Sequence, residues 1–183
     1  MVDRPIPEKP RLRFEPLDKK KHDRAAFSCE HESLDRHLKE HATQEIKKRV
    51  AAVYVLTPDG KTIAGYYTLS QYTIEAGELP PELVQQFHLP KYDKLPATLL
   101  GRLARNKAFK GRGLGELLLM GAMKRALEHS RNIASVAMVV DSIDEHARAF
   151  CRSYGFIDIP NHLSRLFMPM KTVAQLFPEI GTG

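Results

Sequence analysis

A chain of 183 residues with 43% hydrophobic and 27% charged side chains is long enough to bury a core without disulfide or metal staples. It is short enough for one domain. It contains no apolar run near the ~18 residues that a membrane-spanning helix needs, and its proline-rich, charged start lacks the apolar stretch of a secretion signal. A cytoplasmic protein that does not enter the membrane is expected. The two cysteines, Cys29 and Cys151, lie too far apart for a metal-ligand pattern or a disulfide framework, so reduced thiols and no metal are expected. The formal charge of +6 suits an anionic partner such as nucleic acid, a phosphate or an acidic protein. It serves solubility equally well.

Residues 1–10 read as a flexible tail, 11–175 as a single domain and 176–183 as a C-terminal tail. Leu12, Phe14 and Leu17 suit a first strand, and Lys19 to Lys21 a solvated turn. Ser33 is placed to cap a helix running to about Lys48, with an apolar stripe of Leu34, Leu38, Ala42 and Ile46. Val50 to Leu56 reads as a buried strand. Pro58-Asp59-Gly60 turns it into a second strand, Thr62 to Ile74. A proline-rich excursion over 77–95, with a short helix from Pro81 to Phe87, leads to a strand from Ala97 to Ala104.

A helix from Leu114 to about His129 follows, turning Leu114, Leu117, Leu118, Met123, Ala126 and Leu127 to the core. Ile133 to Val140 is a continuous apolar run, the mark of a central strand, so residues 97–140 form a β-α-β unit. Asp144 to Tyr154 reads as a helix with Ala147 and Phe150 inward, closed by Gly155 as its C′ glycine. Phe156–Ile159 and Leu166–Met170 are the last strands.

The informative segment is Leu99-Leu100-Gly101-Arg102-Leu103-Ala104-Arg105 followed by Lys110-Gly111-Arg112-Gly113-Leu114-Gly115. A strand enters a turn with three alternating glycines, and a helix starts at once. Glycines without Cβ atoms let backbone N–H groups face a ligand, and the helix N-terminus adds partial positive charge. Lys110 and Arg112 supply full charges. A phosphate or pyrophosphate is the expected ligand; the alternative is a tight turn that binds nothing. Gly115 is followed by Glu116 rather than Lys-Ser/Thr, and the third glycine of the dinucleotide fingerprint is absent, so neither a Walker loop nor a dinucleotide fold is indicated.

This segment resembles the pyrophosphate loop of the GNAT acetyltransferase superfamily, Gln/Arg-x-x-Gly-x-Gly/Ala, with Lys110 at the first position. Asp144-x-x-Ala147-x-x-Phe150 followed by Tyr154-Gly155-Phe156 resembles the superfamily's downstream segment. Phe27-Ser28-Cys29-Glu30, Leu34-Asp35-Arg36-His37-Leu38, Leu100-Gly101-Arg102-Leu103-Ala104 and the closing Arg165 to Met170 are similar to the GNAT-type toxins of bacterial toxin–antitoxin pairs.

The resemblance implies a mixed α/β (α+β) fold. Its twisted, mostly antiparallel sheet has about six or seven strands, flanked by helices and splayed at the central strands where acyl-CoA binds. It implies acetyl-CoA as co-substrate, bound by Leu103, Ala104 and Arg105 on the carrier strand, by Lys110, Gly111, Arg112, Gly113, Leu114, Gly115 and Glu116 at the turn, and by Asp144 and Phe150. It also implies an aminoacyl-tRNA acceptor, a ribbon-helix-helix antitoxin and a homodimer.

The reaction is expected to be attack of a neutral amine on the thioester. A strand backbone N–H would receive the oxyanion and a side-chain acid would protonate the leaving thiolate. In the toxins that acid is a tyrosine four residues before the glycine of the Gly-Phe pair; here the position is Cys151, and the nearby tyrosine is Tyr154. Cys151 is either the acid or a small buried hydrophobe. Tyr154 is either an acid one turn away or a packing residue. No general base stands out, although Asp141 at a strand end is open to that role.

Arg102, Arg105, Lys107, Lys110 and Arg112 crowd together without an intervening acid, and Lys47-Lys48-Arg49 ends the first helix. Arg102 and Lys107 are the expected acceptor contacts. The remaining charge suits a nucleic-acid backbone or, at 47–49, the helix dipole. Three functions stay open: acetylation of aminoacyl-tRNA, acetylation of a small-molecule or protein amine, and binding of acyl-CoA or antitoxin without catalysis.

Overall fold

The computed structural model describes residues 11–181; the expected tail at 1–10 lies outside the described residues. Seven strands form one sheet in the order β1-β2-β3-β4-β5-β7-β6. They are β1 (Arg13–Pro16), β2 (Ala52–Thr57), β3 (Gly65–Glu75), β4 (Lys94–Arg105), β5 (Ala137–Asp141), β6 (Ile157–Asp158) and β7 (Arg165–Pro169). Every neighbouring pair is antiparallel except β4 and β5. That parallel pair is the expected β-α-β unit, since its crossover is the helix α4 (Leu114–Ser130).

Alternate residues of β3 serve opposite faces. Tyr67 and Leu69 pack with Leu118, Leu119, Ala122 and Met123 of α4. Tyr66 packs with Leu34, Leu38 and Ala42 of the first helical segment. That segment comprises α1 (Glu32–Arg36), a π-helical turn (His37–His41) and α2 (Ala42–Lys47). A third cluster joins Ile74, Leu95, Val139 and Phe167 beneath α3 (Pro81–Gln86), with Phe87 edge-on to Phe167 at 5.9 Å. α5 (Glu145–Ser153), α6 (Met170–Leu176) and α7 (Pro178–Gly181) complete the order. Among the described residues no helix is long and apolar enough to cross a membrane.

Several boundaries differ from the sequence reading. Ser33 is not the cap of the first helix. His31 is, in extended conformation and without a side-chain cap bond, because Asp35 reaches back instead and accepts the Cys29 N–H at 2.8 Å. The second strand starts at Gly65 rather than Thr62. The Asp59 carboxylate accepts the N–H of Lys61 and Thr62 and the Thr62 hydroxyl, extending the turn, and these bonds hold its pKa well below the usual carboxylate range.

Leu117 is 39% exposed, on the flank of α4 away from its buried stripe, where Leu119 and Ala122 do the packing. Val50 and Ile133, assigned to strands, are exposed, because β2 and β5 begin only at Ala52 and Ala137. At the C-terminus the fold runs past 175, with Val173 and Phe177 buried in the α4 cluster.

Candidate active site

β4 and β5 pair over three residues, Thr98–Leu100 against Met138–Val140, and then part. β4 continues on β3 as far as Arg105, opposite Gly65. From Gly101 to Arg105 one edge of β4 therefore has no β5 ladder partner, so its N–H and C=O groups can receive an extended amide-bearing ligand. The gap opens into a cleft of about 70 Å³ lined by Leu100, Leu103, Val140, Ile143, Phe150 and Cys151, among others. That is room for about two water molecules.

Directly beyond the open edge lies the glycine turn. Asn106, 7% exposed, anchors it: its side chain donates to Ile63 O at 2.9 Å and accepts from Ala108 N–H, capping a 3-10 turn, Lys107–Phe109. The sequence reading passed over Asn106, although an asparagine heading a short turn is a capping signal. Gly111 and Gly113 have φ of +78° and +70°, and a Cβ at either would meet nothing within 4 Å. Both the backbone and the open space therefore call for glycine. Gly113 stands at the N-cap of α4 without any side-chain bond, so the first-turn N–H groups are left without an intrahelical partner. A seventeen-residue helix with no side-chain cap, behind two open glycines, has the form and charge that binding an anion requires.

The expected residues fall into distinct groups. Leu103 lines the cleft, whereas the Ala104 and Leu114 side chains are buried in the core and leave only their backbone for any ligand contact. Arg112 lies over the Phe109 ring at 5.2 Å, and Lys110 pairs with Glu30 at 3.2 Å, which lowers the Glu30 pKa. Lys107 is exposed on the 3-10 turn. Asp144 caps α5, accepting Ala147 N–H at 2.8 Å, and pairs with His31 across the mouth at 3.3 Å. Phe150 packs on Gly115, 3.6 Å from where its Cβ would stand.

Cys151 faces the cleft and is 6% exposed; burial pushes its thiol up to about 11, so it is neutral at physiological pH. Tyr154 sits outside the cleft lining, at the end of α5, with its ring 5.0 Å from Phe150; burial and then Glu116 raise its pKa. Both Asp141 oxygens are committed to Arg165, at 2.8 and 3.3 Å, in a cluster with Tyr72 and Glu78.

The sequence profile of the Acetyltransferase (GNAT) family matches residues 21–156. A protein described as a probable toxin TacT, from Sinorhizobium fredii (strain NBRC 101917 / NGR234), is 30% identical over 89% of this chain and 93% of its own length. The solved structure of AtaT complexed with acetyl-methionyl-tRNAfMet superposes with a TM-score of 0.80 at 30% identity, over 91% of this chain and 99% of that one. A tyrosine-to-phenylalanine variant of AtaT, bound to acetyl-CoA and the C-terminus of the antitoxin AtaR, superposes with a TM-score of 0.78 at 26% identity, over 92% and 99%. With the splayed β4–β5 pair, the open glycine turn and these matches together, the chain belongs to the GNAT acetyltransferase family.

Proposed function

We propose that this protein transfers the acetyl group of acetyl-CoA to the amino group of an aminoacyl-tRNA, as the toxin of a pair whose antitoxin is a ribbon-helix-helix protein. The carrying observation is the open edge of β4 leading straight to the uncapped start of α4. It offers amide pairing for a pantetheine arm and N–H groups for its pyrophosphate in one line. AtaT, similar over almost all of the chain, is complexed with an acetylated aminoacyl-tRNA in one structure and with its antitoxin in another. Such an acceptor places the protein in the cytoplasm.

In this reading the Leu103-Ala104-Arg105 backbone and the turn from Lys110 to Glu116 hold acetyl-CoA, with Asp144 and Phe150 shaping the α5 side. Arg102 and Lys107 meet the acceptor. A β4 backbone N–H stabilises the oxyanion. The amine nitrogen forms the new C–N bond, the C–S bond breaks, and the amine's proton leaves to water. The leaving sulfur departs as a thiolate, and the residue that steadies it is Cys151 rather than Tyr154, because Cys151 is the one lining the cleft. Its high pKa makes it a hydrogen-bond donor to the departing sulfur.

The test is transfer of labelled acetyl from acetyl-CoA to total charged tRNA, with deacylated tRNA as control. Label confined to charged tRNA is the expected result. Absence of label with acetyl-CoA still bound would shift the acceptor to another amine or leave a binding protein.

A further inference from the structure

Arg102 owes its direction to an irregularity in β4. Leu69 pairs with Leu100 and Thr68 with Arg102, so Gly101 is an extra residue without a partner on β3. Leu100 lies in the α4 cluster and Leu103 packs against it, while Ala104 belongs to the α1–α2 cluster. Strict alternation from Leu100 would turn Arg102 under α4. The bulge re-aims it to the other face, where its Nη1 stands 3.6 Å from Glu45 Oε2 on α2 while the residue still lines the cleft that holds Cys151.

The same Glu45 oxygen lies 2.9 Å from His37 Nε2. His37 is 3% exposed and burial lowers its pKa, so the neutral imidazole donates from Nε2 to the carboxylate. Its ring stacks on Tyr66 at 5.9 Å, and the Tyr66 hydroxyl donates to Leu34 O at 2.8 Å, which fixes the imidazole from behind. His37 opens the π-helical turn. Eight residues of regular α-helix rotate through about 800° and would leave His37 and Glu45 about 80° apart. The wider π-turn rotates less per residue and brings them to one face. Two local irregularities, one in a strand and one in a helix, thus converge on a single guanidinium.

We infer that His37 and Glu45 are positioning residues that hold Arg102 as an anchor for a phosphate of the acceptor's terminal nucleotide. The inference rests on the aminoacyl-tRNA reading above. Glu45 engages one guanidinium nitrogen at a long distance, and the Arg102 side chain is 36% exposed, leaving the rest of the planar fork for a second anion. A fixed cation beside the reacting centre repels an ammonium group but matches the paired oxygens of a phosphate. Holding it in place beforehand removes the ordering cost from acceptor binding.

Steady-state kinetics on two acceptors test this: an aminoacylated RNA minihelix and an aminoacyl-nucleoside without phosphate. Wild-type protein should prefer the minihelix. R102A should reduce that preference, read as the ratio of kcat/KM values, about 10- to 100-fold. E45Q should reduce it up to about five-fold by raising the minihelix KM, with the acetyl-CoA KM unchanged. The double variant R102A/E45Q should be no worse than R102A, since both changes remove one interaction. Additive losses, or an R102A variant that keeps the full preference, would overturn the anchor alone. A wild-type protein that acetylates neither acceptor would overturn the aminoacyl-tRNA reading and the anchor with it. R102A alters a part-exposed side chain, so it decides the matter even where E45Q disturbs folding.

Discussion

Replacing Gly113 by alanine separates the backbone's demand for glycine from the ligand's. Gly113 sits at φ +70° and ψ 19°, where an L-residue costs about 1–2 kcal/mol. The added Cβ would meet no atom within 4 Å, so no clash adds to that strain. For a chain of this size 1 kcal/mol moves Tm by about 2–4 °C, and a drop of about 2–8 °C is expected in a calorimetric scan. Acetyl-CoA binding should suffer separately, because the new methyl occupies the open side of the turn. Losing one charge-assisted bond from backbone N–H to phosphate raises Kd about 10- to 100-fold, measurable by titration calorimetry at a temperature where the variant is fully folded. A fall in Tm with unchanged affinity would refute the assignment of this turn to the pyrophosphate. Unchanged Tm would refute the backbone argument.

Two other glycines should respond with opposite signs. Gly115→Ala adds a Cβ at ordinary contact with Phe150 inside α4, so the helix gains up to about 1 kcal/mol and Tm rises; a lower Tm would show that Phe150 cannot accommodate the methyl. Gly121→Ala places a Cβ 2.5 Å from the Phe14 ring, which is itself held edge-on by Tyr67, and should cost about 1–3 kcal/mol. Wild-type stability would mean that the β1 edge yields freely. Cys151→Ala tests the proposed donor. A thiol at about 11 facing an ordinary thiolate near ~8.5 shares its proton without surrendering it, so kcat should fall about tenfold or less, short of the ~10²–10⁴ of full proton transfer; an unchanged kcat would make Cys151 a core filler. Glu15, bonded to Lys21 and Arg13, is held at about 2. A folded pKa below the unfolded value stabilises the protein above the ordinary carboxylate range, and that contribution is lost as pH falls towards 2. The Tm deficit of Glu15→Gln against wild type should therefore shrink between pH 5 and 2, and a constant deficit would contradict the ion pairs.

The form of the glycine turn was legible in the sequence because it is local. Alternating glycines after a strand, cationic neighbours and an apolar helix each act on residues a few positions apart. Asp144 and Gly155 mark the ends of α5 for the same reason: one accepts a first-turn N–H and the other has φ of +97°. The stripe of α4 was read correctly except at its flank, where Leu117 shows that a hydrophobic residue in the first turn need not face the core. The position of Cys151 relative to Gly155 could be counted, but its burial could not.

What only the tertiary structure decided is where strands part and which way side chains turn. Nothing near Leu100 says that its pairing with β5 ends there; that depends on Val140, across the whole α4 crossover. The bulge at Gly101 is a property of register with Thr68 and Leu69, and it moves Arg102 from one face of the sheet to the other. The π-turn depends likewise on His37 and Glu45 meeting beside Tyr66. By itself the sequence determined the seven strands, the main helices before the C-terminus, the glycine turn and the kinship, because dihedral preference and hydrophobic period are written residue by residue. The cleft and its side-chain directions came from the tertiary structure, because register is settled by pairing energies summed over segments far apart in the chain.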